Sequence, residues 1–193
     1  MYATLLADAR FHDLLLAFDR DLAATARAGG CSCGGRLHSA RYRRKPRGRP
    51  CGLSPEHDWR ESFCCAVDGC RARNTPPSLR FLGRKVYVTA IVVLIAILRH
   101  GATGARIERL AQVVKVDRRT VERWRRWWRD RFTATPFWRA AGAAFMPPVD
   151  HERLPASLLE RFAGDGACRL IALLRFLSSL TEGPPRSRSA ASP

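Results

Sequence analysis

The sequence predicts a mainly α protein that carries one small β module. Three observations lead there. Apolar residues recur at helical spacing in residues 3–28, between residues 84 and 131, and again after Pro136. Residues 31–81 lose that period and hold six of the seven cysteines, with many glycines and prolines. The charge is extreme: 34 Lys and Arg against 17 acids give a net +17 over 193 residues. The implied segments are 1–30, an amphipathic helix; 31–81, a cysteine-bearing β module; 82–132, three helices; 133–182, short C-terminal helices; and 183–193, a tail.

In the first segment Phe11, Leu15, Phe18 and Leu22 form a stripe, with Asp8, Asp13, Asp19 and Asp21 on other faces. Gly29 and Gly30 stop the helix. The stripe is read as core or a dimer contact. In the second, Arg36–Tyr42 and Arg60–Cys64 are candidate strands, and Asn74–Ser78, with Pro76 and Pro77, is a turn. The third opens with a helix over Arg84–Arg99, whose β-branched residues would also suit a strand. Its apolar run, Val86–Leu98, has 13 residues, short of the roughly 20 that span a bilayer. It is read as a buried helix and no membrane role is expected. Two further helices cover Ala105–Val113 and Asp117 to about Arg131.

Those last two are joined by Val114–Val116, the arrangement of a helix-turn-helix, with small Ala111 where the helices cross. Leu110, Val114, Val116, Val121 and Trp124 supply the apolar spacing. Asp117 is placed to cap the last helix. Val121, Trp124, Trp128 and Phe132 form its inward stripe, which leaves Arg118, Arg119, Glu122, Arg123 and Arg126 outward. Guanidinium groups on such a helix suit guanine edges and phosphates in a DNA major groove. After Arg131, helical candidates run Pro136–Phe145, Pro155–Phe162 and Ala167–Leu180, the last with Leu170, Leu173, Leu174 and Leu177 on one face. The tail from Gly183 is too polar to fold.

Cysteine clustering without a secretory leader points to metal rather than disulfides. Cys31 and Cys33 precede Gly34-Gly35, and Cys65 and Cys70 flank a second turn. These four are the expected ligands of one structural zinc, because two cysteine turns close a tetrahedron around an ion that stabilises thiolates. The gaps of one and four residues differ from the usual two, and Cys64, Cys51, His38 or His57 can each replace a member. Cys168, in an apolar helix, is read as core.

From Gly34 to Pro50 lie seven basic residues and no acid, ending in Arg44–Pro50. Pro46-Arg47-Gly48-Arg49-Pro50 resembles an AT-hook. Embedded between the cysteine turns, it is read instead as a solvated basic loop in which Arg44, Arg47 and Arg49 meet phosphates.

The order of cysteine turns, TPPSLRFLGRKVYVTAIVVLIAIL and RIERLAQVVKVDRRTVERWRRWW resembles the N-terminal DNA-binding region of zinc-ribbon transposases of bacterial insertion sequences. The resemblance implies a small β zinc ribbon followed by a three-helix, homeodomain-like helix-turn-helix that holds element ends. Cys31, Cys33, Cys65 and Cys70 would be ligands, and Arg118, Arg119 and Arg123 would face DNA. The turn glycine common in helix-turn-helix proteins is here Lys115, at a cost of about 1 kcal/mol in a left-handed backbone.

Phosphoryl transfer by two metal ions needs positioned acids from separate strands. After Arg131 only Asp150, Glu152, Glu160, Asp165 and Glu182 remain, in short helical segments. The expectation is therefore no enzyme: a sequence-specific DNA-binding accessory factor, regulator or transposase remnant, cytoplasmic and nucleoid-associated. Double-stranded DNA is its partner, with a homodimer or a transposition partner besides. A stand-alone transcriptional regulator and a transposase or nuclease are the rival readings, and RNA is the rival polyanion.

Overall fold

A computed structural model describes residues 4–5, 8–44, 52–82, 86–87, 91–92, 94–95, 103–113 and 117–181. Several expectations lie outside these residues: Arg47 and Arg49, Cys51, the turn Val114–Val116 with Lys115, and the tail; so do the side chains of Leu110 and Ala111.

The first long helix, α1, is Ala9–Ala28. Asp8 starts it by accepting from the Arg10 N–H at 3.0 Å, and Gly30, at φ +68°, ends it. Its stripe is buried in two places. Phe11 and Leu15 enter the main core, which Phe18 and Leu22 also pack against, whereas Ala23 packs on the cysteine module. Asp19 departs from the expected outward position: it is 1% exposed.

The β module is built from antiparallel two- and three-residue strands. β1 (Leu37–Ser39), β4 (Phe63–Cys65) and β5 (Arg73–Asn74) form one sheet in the order β1-β4-β5. Leu37 pairs with Cys65 and His38 with Cys64. β2 (Tyr42–Arg43) pairs with β3 (Trp59–Arg60) as a separate ribbon. Among the described residues the core here is Ala23, Leu37, Phe63 and Cys65, too little apolar surface to hold a domain of this size alone.

Part of the expected Arg84–Arg99 helix is strand. β6 (Phe81–Leu82) pairs with β7 (Val86–Tyr87), with Phe81 opposite Tyr87. A β-branched and an aromatic residue suit this paired edge. Helix follows at residues 91–92 and 94–95, where Ile91, Val92, Leu94 and Ile95 are all fully buried.

Helix α2 is Gly104–Val113 and α3 is Arg118–Arg126. The chain then continues through a π-helical turn, Trp127–Phe132. Helices α4 (Pro136–Ala141), α5 (Ala156–Leu159) and α6 (Gly166–Ser178) follow. Thr135 caps α4, with Pro136 in its first turn. The main core joins α1, β6, residues 91–92 and 94–95, the helix-turn-helix stretch and α6, whose Leu170, Leu173, Leu174 and Leu177 are buried. Cys168 is not core: it is exposed near the start of α6, where its N–H donates to the capping Asp165 at 2.8 Å. One turn into the helix, it sits off the leucine stripe.

Candidate metal centre and nucleic-acid interface

Two tight turns bring the four thiols of Cys31, Cys33, Cys65 and Cys70 within 4.8 Å of one another. In the first, the Gly34 N–H donates to the Cys31 carbonyl at 2.8 Å and the Cys31 N–H to the Gly35 carbonyl at 3.0 Å. Gly34 takes φ +81°, which its lack of a Cβ permits. In the second, the Cys70 N–H donates to the Val67 carbonyl at 3.2 Å, and Gly69 sits at φ +87°. Both atypical spacings thus close into one cluster, because each turn takes its reversal from a glycine rather than from a fixed gap.

The sulfur separations fit a metal. Cys31 Sγ lies 3.7 Å from Cys70 Sγ, and Cys33 Sγ 3.5 Å from Cys65 Sγ. A tetrahedron of Zn–S bonds at about 2.3 Å places its sulfurs about 3.8 Å apart, whereas a disulfide needs about 2.05 Å. The Val67 N–H also points at Cys65 Sγ, 3.4 Å away, a contact that favours thiolate. A Cβ on Gly35 would lie 2.7 Å from Cys65 Sγ and 2.6 Å from a Val67 methyl, so only glycine closes the cradle here.

The protonation pattern agrees. The Cys33 N–H, with the neighbouring thiols, holds the Cys31 thiol down at about 7. Cys65 accepts from Val67, which lowers it, but burial and the other three thiols push it up to about 12. Cys70 is raised likewise: the Cys33 and Cys31 thiols and burial outweigh the Ala72 N–H. Four sulfurs this close cannot all carry charge on their own, and a dication removes that conflict. This donor set is compatible with zinc, and would hold it closed on all four sides, as a structural site.

The other candidate ligands lie elsewhere. Cys64 turns its thiol toward the Arg71 carbonyl, 3.7 Å away, and neighbouring strand residues face opposite ways. His38 is exposed on β1. His57 is buried, with Nδ1 3.1 Å from Ser54 Oγ and Nε2 3.2 Å from an Asp13 oxygen.

Helix α3 presents the second candidate surface. The Asp117 carboxylate accepts from the Thr120 N–H at 2.7 Å and from its hydroxyl at 2.9 Å. These bonds, with the Arg123 charge, hold Asp117 below the usual carboxylate range. Val121, Trp124, Trp128 and Phe132 are at most 6% exposed, so the expected stripe is buried. Arg118, Arg119, Arg123 and Arg126 are exposed opposite it. Asp117, Arg118, Arg119, Thr120 and Arg123 line an open depression of about 560 Å³ at the head of the helix. Arg118 is tied to Glu122 at 2.9 Å and Arg123 to the Thr120 hydroxyl at 3.3 Å. Arg119 makes no hydrogen bond or ion pair to any described residue.

Residues 92–136 match the homeodomain-like domain family. This homeodomain-like stretch takes in α2, α3 and the π turn, so the buried stripe and the arginine face both belong to a helix-turn-helix DNA-binding region. No curated protein and no solved structure matches the chain.

Around the homeodomain-like unit, the basic hairpin is more occupied than its composition suggests. The Arg44 guanidinium donates to Tyr42 Oη at 3.1 Å and lies 5.1 Å over the same ring. Arg41 lies 4.7 Å over Trp59, and Arg43 reaches Asp58 at 3.8 Å.

Sequence reasoning missed the buried polar knot that ties this hairpin to α1. Asp19 accepts from Ser78 Oγ at 2.5 Å, the Leu79 N–H at 2.6 Å and Arg80 Nε at 2.8 Å. Arg80, fully buried, gives its other donors to the His57 and Trp59 carbonyls, each at 3.0 Å. Arg60 donates to the carbonyls of Pro76, Pro77 and Thr181, and the Ser78 N–H donates to Thr181 Oγ1 at 2.8 Å. The available signal was Asp19 itself, a charge between Leu16 and Ala23 on the buried side of α1.

Proposed function

We propose that this protein binds double-stranded DNA at a specific sequence, with α3 as the base-reading element and one structural zinc in the four-cysteine centre. The observation that carries this reading is the arginine face of α3, opposite a fully buried stripe, within a homeodomain-like match. Arg119 and Arg126 point most directly away from the core, and Arg118 and Arg123 flank them. Net charge +17 supplies the long-range attraction to phosphate.

The biological setting we propose is a mobile element of the transposase-related kind, with the protein as accessory factor, regulator or remnant, located in the cytoplasm on the nucleoid. Its mechanism is binding without catalysis. What supports this is the employment of acids beyond the helix-turn-helix: Asp150 caps a short turn, Glu160 pairs with Arg153 at 2.8 Å, and Asp165 caps α6.

The test is selection of bound duplexes from a random pool, followed by salt titration on the selected site. Log affinity should fall with log salt at a slope of about −0.9 per phosphate contacted. Arg119→Ala should cost about 1–3 kcal/mol on the selected duplex and far less on unrelated DNA. No enriched sequence, or a flat salt response, would end the proposal.

A further inference from the structure

Trp127 is unlike the other tryptophans of the helix-turn-helix stretch. It is 40% exposed, against 6% for Trp124 and 3% for Trp128. It opens the π turn that continues α3, yet it is not loose. Its ring meets Trp128 edge-on at 5.2 Å and Phe132 at 6.0 Å. Its indole N–H makes no hydrogen bond to any described residue. Leaving so large an apolar ring half in water sacrifices burial energy that its neighbours gain.

Its direction and surroundings identify what could cover it. At about 100° per residue, Val121, Trp124 and Trp128 define the inward side of the helix. Arg119 and Arg126 then point outward, and Trp127 lies roughly 90° away on the flank. For a helix lying in a major groove, the outward face meets base edges and the flanks meet the strand backbones that wall the groove. Within four positions stand Arg123, Arg125, Arg126, Arg129 and Arg131, all exposed. The lone acid there, Asp130, is engaged by Arg129 at 2.7 Å. Cations on every side repel a second copy of this basic chain and disfavour an apolar protein groove. They attract a polyanion that also offers apolar surface, which describes the deoxyribose-phosphate backbone.

We infer that Trp127 is a DNA-backbone contact: its ring packs on a deoxyribose and its N–H donates to a phosphate at the wall of the groove that α3 enters. This rests on the DNA-binding reading of α3. The ring is already fixed by Trp128 and Phe132, so binding loses little side-chain freedom. The contact is indifferent to sequence and strengthens specific and non-specific complexes alike.

The experiment uses the full zinc-loaded chain with two duplexes, the selected site and an unrelated sequence, at one salt concentration. Trp127→Ala should weaken both by roughly tenfold. Trp127→Phe, which keeps an apolar ring but lacks the N–H, should fall between. Arg119→Ala should act on the selected duplex alone. Acrylamide quenching reads Trp127 without any loss of fold: DNA should shield wild-type fluorescence and leave the Trp127→Phe protein unchanged. If Trp127→Ala binds both duplexes within about twofold of wild type while Arg119→Ala loses the selected site, the inference fails and the DNA reading stands. If Trp127→Ala instead abolishes self-association in sedimentation, the ring covers a second copy and the inference fails. Should wild type bind neither duplex, the DNA reading itself falls, and this contact with it.

Discussion

Replacing Asp19 tests the buried knot most directly. Asp19 and Arg80 are each 1% exposed at the side chain and pair at 2.8 Å. Asp19→Ala removes the acceptor of three hydrogen bonds, from Ser78, Leu79 and Arg80. It leaves the Arg80 charge buried, with only the His57 and Trp59 carbonyls to satisfy it. Breaking a buried pair on one side costs about 3–5 kcal/mol, and the further loss at Leu79 places this case in the upper half of that range. Asp19→Asn keeps a carbonyl for the Leu79 N–H but turns an amide donor toward Arg80, so the cost should be about 3 kcal/mol. The assay is urea unfolding of the zinc-loaded protein, followed by tryptophan fluorescence and circular dichroism. With a slope of about 2 kcal/mol per molar, the midpoint should fall by about 2–2.5 M for Asp19→Ala and about 1.5 M for Asp19→Asn. Asp21→Asn, exposed on the same helix, should stay within about 0.5 kcal/mol of wild type. Asp19→Leu combined with Arg80→Met should recover much of the loss, because it removes both charges. A loss below about 1 kcal/mol for Asp19→Ala would refute the argument that this pair anchors the ribbon to α1.

Three further outcomes follow from the same geometry. Gly35→Ala places a methyl 2.7 Å from Cys65 Sγ, and zinc affinity, measured by chelator competition, should drop at least about tenfold; an unchanged affinity would show that the sulfur cradle has slack. Chelation should melt residues 31–81 first, detected as new thiol reactivity at Cys65 before the helical circular dichroism falls, since among the described residues the buried apolar cluster beside the thiols is no more than Ala23, Leu37, Phe63 and Cys65. For Asp117 the sign is set by its lowered value: the cap stabilises fully above the unfolded carboxylate value near 3.9 and is lost as pH falls through the folded one. Asp117→Asn should therefore lower Tm at neutral pH and converge with wild type in strong acid. A gap that persists in acid would assign the effect to the amide rather than to charge.

What could be read in advance was what depends on near neighbours along the chain. The α3 stripe, the Asp117 cap, the α6 leucines and the stop after α1 each follow from a period or a terminal residue, and each appears in the fold. The cysteine set was readable from residue chemistry, although the unequal gaps kept Cys64 and the histidines in play until the strand register turned Cys65 inward. The knot was not readable, because Asp19 and Arg80 stand 61 positions apart and either looks like an ordinary surface charge alone. The apolar run after Val86 and Tyr87 suggests helix for them, but the edge offered by Phe81–Leu82 decides their conformation. The apolar sequence around Cys168 suggests core, but its angle on α6 turns it away from the leucine stripe. Trp127 is the opposite case: it lies off the periodic stripe, so periodicity assigns it no partner and its exposure is a property of the fold.

Helix α1 enters both cores, with Phe11 and Leu15 at one end and Ala23 at the other, and the knot bolts the ribbon to its middle. The cysteine module and the homeodomain-like unit therefore form a caliper with a fixed jaw opening, not two beads on a string. A caliper measures. Any DNA element gripped by both jaws has to present its two footprints at one separation and on one side of the double helix. Inserting about five base pairs between them, half a turn, would carry the second footprint to the far side. Inserting a full turn would restore the side but overreach the jaws. A flexible tether would forgive both changes, so the tolerance of the DNA to such insertions reports directly on the stiffness of α1.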